Sequence, residues 1–227
     1  MSLGLYLVFL IPPMILGFAV QGWLRKTVKQ QLEVAVHTGL SGADVARRIL
    51  DREGLHMVPV ERSPGGPLSD HYDPRKRSVH LSPEVHDGRA VASTAIAAHE
   101  VGHAIQHAKA YAPFRLRSAM FPAVALASNF WMILLIAAFA LNAVGLMQVA
   151  IALFAVVVLF QLVTLPVEFD ASKRALTQIR ELGLVSDAER AGSKKVLTAA
   201  AMTYVAAALA ALSQLAYFAL AFLGNRD

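Results

Sequence analysis

The 227-residue sequence contains no cysteine. This excludes disulfides, thiolate nucleophiles and cysteine-ligated metals, so any metal must rest on histidine and carboxylate. Charge is scarce too: Asp, Glu, Lys and Arg make up 16% of the chain, where a soluble domain has roughly 25%. The scarcity is uneven. Met1 to Leu24, Ser118 to Val167 and Val196 to Gly224 carry no charged side chain at all. Crossing a hydrocarbon core of about 30 Å takes about 20 apolar residues. The middle run is too long for one span and suits two, divided near Leu141 to Gly145 (LNAVG). Four transmembrane helices are therefore expected, at residues 3–23, 119–141, 146–166 and 196–223.

The first run lacks a positive n-region and a small-residue cleavage pattern, and its charges (Arg25, Lys26, Lys29) follow it. A retained anchor is thus expected rather than a cleaved signal peptide. Pro12 and Pro13 predict a kink in it, tolerable in a membrane helix when neighbours satisfy the freed carbonyls. The net charge of +5 does not indicate nucleic acid. No nucleic-acid module is recognisable, and many basic residues sit where apolar runs meet polar ones, as in Arg115, Arg117, Lys194 and Lys195.

The polar residues fall into two segments. Arg25 to Arg117 holds 14 Lys/Arg and 10 Asp/Glu; Glu168 to Lys195 holds six and five. The connection between the second and third spans has no charge, and the tail has only Arg226 and Asp227. Counting positive charge near the helix ends places both polar segments in the cytoplasm and both termini outside. Whichever way the chain inserts, the second and third spans form a hairpin, so the two polar segments face one compartment.

Within the first polar segment, Ser41 to Glu53 reads as an amphipathic helix. Ser41 and Asp44 form a capping box with Asp in place of Glu, Val45, Ile49 and Leu50 form the apolar face, and Gly54 is the stop. Leu55 to Glu61 and Arg77 to Ser82 read as short strands, the first an edge or bulged strand because of Pro59. The Gly-, Pro- and Asp-rich stretch Arg62 to Lys76 reads as a long loop. A helix is expected from Val91 to about Lys109, with Pro113 beyond it as the terminator. In the second polar segment a separate helix is expected from Val167 to Gly183.

The chemistry concentrates in His99-Glu100-Val101-Gly102-His103, an H-E-x-x-H pattern. Residues four apart share a helix face, so His99 and His103 can address one ion while Glu100 reaches a water upon it. Zinc needs a third protein ligand and keeps one position open. His107 continues the spacing of four, but at about 1.5 Å rise per residue it lies roughly 12 Å along the axis from His99. The three rings cannot converge on a straight helix, which gives His107 a supporting or purely structural role. Glu168 opens the expected helix after the third span and shares a compartment with His99. Its alternative role is to favour a helix N-terminus through the macrodipole. Asp170, on a different face, is the fallback ligand or a surface charge.

At H-E-V-G-H-A-I-Q-H together with L-P-V-E-F-D-A-S, the sequence resembles the YugP-type neutral zinc metallopeptidases of bacterial membranes. The likeness extends to SDHYDPRKRSVHLS, YAPFRLRSA and KKVLTAAAMTYVAAALAAL. That family is similar to the membrane gluzincins of the heat-shock and CAAX-protease type. The resemblance implies one Zn2+ per chain on His99, His103 and Glu168, with Glu100 as general base. Ser172 stands where those relatives have Asp, which leaves its supporting role open. The resemblance further implies that the strand around Val79 to Leu81 is an edge against which extended substrate pairs. In the DHYDP segment, His71 and Tyr72 are candidate oxyanion donors or substrate contacts, or else simply hold their own turn.

The expected fold class is an α-helical polytopic membrane protein with about four transmembrane helices and a small α+β zincin-like (minigluzincin) catalytic domain. That domain covers residues 25–117, with a further cytoplasmic helical segment at 167–195 bringing the third ligand. The expected function is a zinc endopeptidase of the bacterial cytoplasmic membrane, its active site facing the cytoplasm, cutting membrane or membrane-proximal proteins. The partners are then a peptide or protein substrate and the lipid bilayer; oligomeric state is not readable. The alternatives are a non-catalytic metal-binding or transport protein, and a site-two-type intramembrane protease. The second is opposed by Arg89, Lys109 and Arg115, which bracket the motif helix.

Overall fold

The computed structural model describes residues 3–223; the tail with Arg226 and Asp227, and both terminal positions expected outside the membrane, lie beyond that range. The chain is mostly helical, with seven helices and three short strands among the described residues. Four helices are long and apolar enough to cross a membrane: α1 (Leu3–Leu32), α5 (Ala112–Ala140), α6 (Val144–Glu181) and α7 (Asp187–Leu223). Between α1 and α5 come α2 (Gly42–Arg52), β1 (Val60–Arg62), β2 (His71–Asp73), β3 (Ser78–Leu81), α3 (Pro83–His86) and α4 (Val91–Ala108).

These elements divide into two compact units, Met1–Val20 with Leu116–Leu165 and Thr203–Asp227, and Gln21–Arg115 with Pro166–Met202. In the first unit, Phe154, Val158 and Phe218 form a small aromatic core with Trp131 against them. Ser213 donates to the carbonyl of Phe9, and the rings of Tyr6 and Tyr217 lie 4.9 Å apart. Large apolar side chains such as Phe18, Ile136 and Phe139 are exposed. In a chain with four such helices, this is the surface that lipid would cover.

The second unit is built around α4. Helix α2 starts with the expected capping box, Ser41 and Asp44 each satisfying the other's backbone N–H, and ends at Arg52 before Gly54, which takes φ +72°. Its apolar face (Val45, Ile49, Leu50) is fully buried with Val79, Leu81 and the alanines of α4. Helix α4 has no side-chain cap. The backbone meets its first N–H instead: Val91 N–H donates to the Val34 carbonyl, and Ala35 bridges Ala90.

The structure departs from sequence expectation in the sheet and at two prolines. The strand expected over Leu55–Glu61 begins only at Val60, and the expected loop contains a third strand, β2, so His71 and Tyr72 sit in a sheet. The sheet order is β1-β3-β2, with β3 parallel to β1 (Val60 against Val79) and antiparallel to β2 (Tyr72 against Val79). Val79 to Leu81 is therefore the central strand, its backbone groups already paired on both sides. The open edges belong to β1 and β2. Helix α4 stops at Ala108, because Ala110 takes φ +50° and Tyr111 N–H turns back to the Gln106 carbonyl. Pro113 lies in the first turn of α5, where a proline loses no helix bond. Finally, Pro166 does not break α6. Glu168 thus lies deep inside a helix and opens none, which removes the macrodipole as the reason for a carboxylate there.

Candidate metal centre

Gly102 explains how two helices meet at the site. A Cβ added there would stand 2.7 Å from the carbonyl oxygen of Ala171 on α6. Only a glycine lets α4 and α6 approach this closely. The histidines on either side of Gly102 are thereby set against the residues on either side of Ala171.

His99, His103 and Glu168 each offer a ligand atom, and the three atoms lie within 4.8 Å of one another. The Nε2 of His99 is 3.2 Å from Glu168 Oε2, and the Nε2 of His103 is 3.5 Å from the same oxygen. Two atoms each about 2.1 Å from one tetrahedral zinc lie about 3.4 Å apart, so the spacing fits a shared ion. Glu168 is 2% exposed, and an ionised carboxylate so buried costs several kcal/mol unless a cation faces it. Burial alone would favour the neutral acid. The two imidazoles beside it, His103 and His99, outweigh burial and hold the carboxyl well below the usual carboxylate range. Glu168 lies two residues beyond Pro166, where the apolar part of α6 ends.

The second nitrogen of each imidazole is also engaged. Ser172 Oγ lies 3.2 Å from His99 Nδ1, and Gln106 Oε1 lies 3.0 Å from His103 Nδ1. The side-chain amide of Gln106 donates to the Val167 carbonyl at 2.7 Å and to Asp170 Oδ2 at 2.9 Å. A carbonyl can only accept, so the Gln106 nitrogen must face Val167 and its oxygen must face His103. His103 Nδ1 then carries the proton, and the lone pair of its Nε2 points towards a carboxylate oxygen. Two acceptors 3.5 Å apart require a cation between them, either a proton or a metal ion. The donor set thus fits zinc, with a buried network fixing ring orientation in the way metal-bound histidines require.

Glu100, beside His99 on α4, is 8% exposed. His107 is outside the cluster, and its Nδ1 lies 2.9 Å from the Tyr72 hydroxyl. Burial, then the Arg77 charge, lowers the His107 pKa, and burial raises that of Tyr72 to about 12. Both groups are therefore neutral near pH 7 and share this hydrogen bond. Phe114 packs against His103, His107 and Tyr72. His71 stacks on His80, with centroids 4.7 Å apart, and bonds the Ser69 carbonyl. Asp170 is outside the cluster of ligand atoms: it receives Gln106 and pairs with Arg174. Gln106 is the residue that sequence reasoning missed. Its spacing, three residues after His103 and so on the same face, was the available signal.

The chain belongs to the family described as "Putative neutral zinc metallopeptidase", whose model matches residues 6–223. Among curated proteins it is similar to one named "Putative membrane protease YugP" from Bacillus subtilis (strain 168). The two are 43% identical over 223 residues, which is 98% of this chain and 99% of that protein. No solved structure matches the chain.

Proposed function

We propose that this protein is a membrane-bound zinc endopeptidase whose second unit is a zincin-like, gluzincin-type catalytic domain. One Zn2+ per chain would be held by His99, His103 and Glu168. The observation that carries the proposal is the convergence of two imidazole Nε2 atoms and one buried carboxylate beside Glu100, in a chain of a zinc metallopeptidase family. When bound, zinc in a three-ligand set polarises a water and a substrate carbonyl at its open position.

The chain's own residues account for the rest. Gln106, anchored by Val167 and Asp170, keeps the His103 Nδ1 proton in place and so leaves Nε2 free as a donor to the metal. Ser172 bonds His99 Nδ1 and fixes that ring. Glu100, one position round the helix from His99, takes the proton of the attacking water and delivers it to the leaving amine nitrogen. His107 and Tyr72 brace the α4 face beyond His103. An extended peptide pairs with an open strand edge, and the outer edge of β2 is the one whose strand reaches α4, through Tyr72. The positive charge of both polar segments supports an active site on the cytoplasmic side of a bacterial membrane, with membrane or membrane-proximal proteins as substrates.

The test is metal analysis of the purified full chain beside cleavage of an unstructured protein, with Glu100→Gln as control. The wild type should carry about one zinc per chain and cleave. The variant should keep the zinc and lose about 100-fold or more in kcat. Well-folded protein with neither zinc nor cleavage overturns the assignment, and a variant as active as the wild type removes Glu100 from the mechanism.

A further inference from the structure

An open groove of about 690 Å³ runs between α6 and α7 within the second unit. Its rim carries four cations, Lys173 and Arg180 from α6 and Arg190 and Lys194 from α7, against one acid, Asp187. Arg190 lies 3.6 Å from Asp187. Among the described residues, none of Lys173, Arg180 and Lys194 takes part in an ion pair. Leu176 and Leu197 also line the groove, and at its other end stand Phe169, 48% exposed, and Met202.

The order of these residues along the helices is informative. Helix α6 turns from apolar to charged after Pro166, and α7 turns from charged to apolar at Val196. The groove lies where both changes occur, the level of lipid headgroups for two membrane-spanning helices. It offers cations at one end and apolar side chains at the other, the arrangement that suits an amphiphile with an anionic head.

We infer that this groove binds one anionic phospholipid, its phosphate held by Lys173 and Lys194 with Arg180 and Arg190 beyond, and one acyl chain lying along Leu197, Phe169 and Met202. Lysine and arginine both give phosphate charge-assisted hydrogen bonds. The groove is distinct from the metal centre. Ser172 lines its wall and meets His99 at Nδ1, whereas the ring's other nitrogen, Nε2, faces Glu168. The inference does not depend on zinc or on peptidase activity.

The test is titration of the purified full chain, in neutral detergent, with dihexanoyl-phosphatidylglycerol, followed by native mass spectrometry. Dihexanoyl-phosphatidylcholine, inorganic phosphate and a glutamate-rich peptide are run as parallel probes. Saturable binding of the phosphatidylglycerol alone is expected. The pair Lys173→Gln and Lys194→Gln should weaken it roughly thirtyfold, about a factor of five per lysine. Lys195→Gln, beside the groove but outside its lining, should leave it unchanged. Equal losses in both variants would reduce the effect to general surface charge and overturn the site. So would absent saturation, or phosphate or peptide binding as tightly as the lipid. A photoreactive phosphatidylglycerol on the wild type needs no variant: labels should map to residues 169–180 and 190–202, and labels confined elsewhere refute the proposal.

Discussion

Gly102 on α4 and Ala171 on α6 are in backbone contact, close enough that the Ala171 carbonyl oxygen would lie 2.7 Å from a Cβ on Gly102. That oxygen belongs to a helix backbone and cannot swing aside as a side chain would. Two effects oppose each other in Gly102→Ala. Alanine gains about 1 kcal/mol of helix propensity over glycine, while overpacking a fully buried contact costs about 1–3 kcal/mol. Because the contact is backbone to backbone, the second effect should win. The variant is expected to melt at lower temperature and to hold zinc more weakly, since the shift separates His99 and His103 from Glu168. Metal competition with a chelator and a thermal melt check both; a variant equal to the wild type in both would mean the helices cross less tightly than described.

Gln106 is fully buried and bonds three partners. Gln106→Leu keeps approximate volume but removes the second donor to the Val167 carbonyl and strands the His103 Nδ1 proton. Removing an orienting partner of a metal-bound histidine costs 10–100-fold in affinity, and that loss is expected here. Ser172→Ala should cost less, because the Ser172–His99 contact is longer, at 3.2 Å. Chelator titration of the two variants gives the order. Equal, unshifted affinities would show that the rings are held by packing alone.

The Tyr72 hydroxyl is committed to His107, and its raised pKa keeps it protonated through the physiological range. Tyr72→Phe is therefore expected to cost about 1 kcal/mol of stability while kcat stays within about threefold. A 100-fold fall in kcat with zinc content unchanged would instead make Tyr72 a donor to the reacting carbonyl.

What could be read in the sequence follows from the range of the interactions involved. Helix α2 was legible because its capping box and apolar stripe lie within eleven residues. The pairing of His99 and His103 with Glu168 was legible because a membrane hairpin constrains sidedness across 69 residues. Strand β2 was not, since three residues with one exposed and two half-buried give no alternation, and Pro and Asp around them speak for a loop. The continuity of α6 was hidden by Pro166, which marks a boundary in water but is tolerated within long membrane helices. The central position of β3 depends on β1 partners 19 residues earlier and on β2 partners such as Tyr72, opposite Val79, and no local pattern encodes that order.

Glu53 ties three elements of the second unit together, as the C-cap of α2 that pairs with Lys109 after α4 at 2.7 Å and accepts from Gln178 on α6. The Lys109 hydrogen bond is the largest influence on its carboxyl. With the Lys109 charge and Gln178, it outweighs the opposing effect of burial, so the pKa falls below the ordinary 4.5. A carboxyl lowered by folding contributes stability that is fully present above its unfolded value, about 4.3, and is lost as pH falls through the folded value. Wild-type stability from this group should therefore be flat above about pH 5 and decline below that. Other carboxylates titrate in the same window, so the difference between wild type and Glu53→Gln isolates this one. That difference should be constant from pH 8 to about pH 5 and shrink as acid protonates the native glutamate. Denaturant melts at each pH measure it, and a difference that persists undiminished to pH 3 would show that Glu53 contributes through packing and not through its charge.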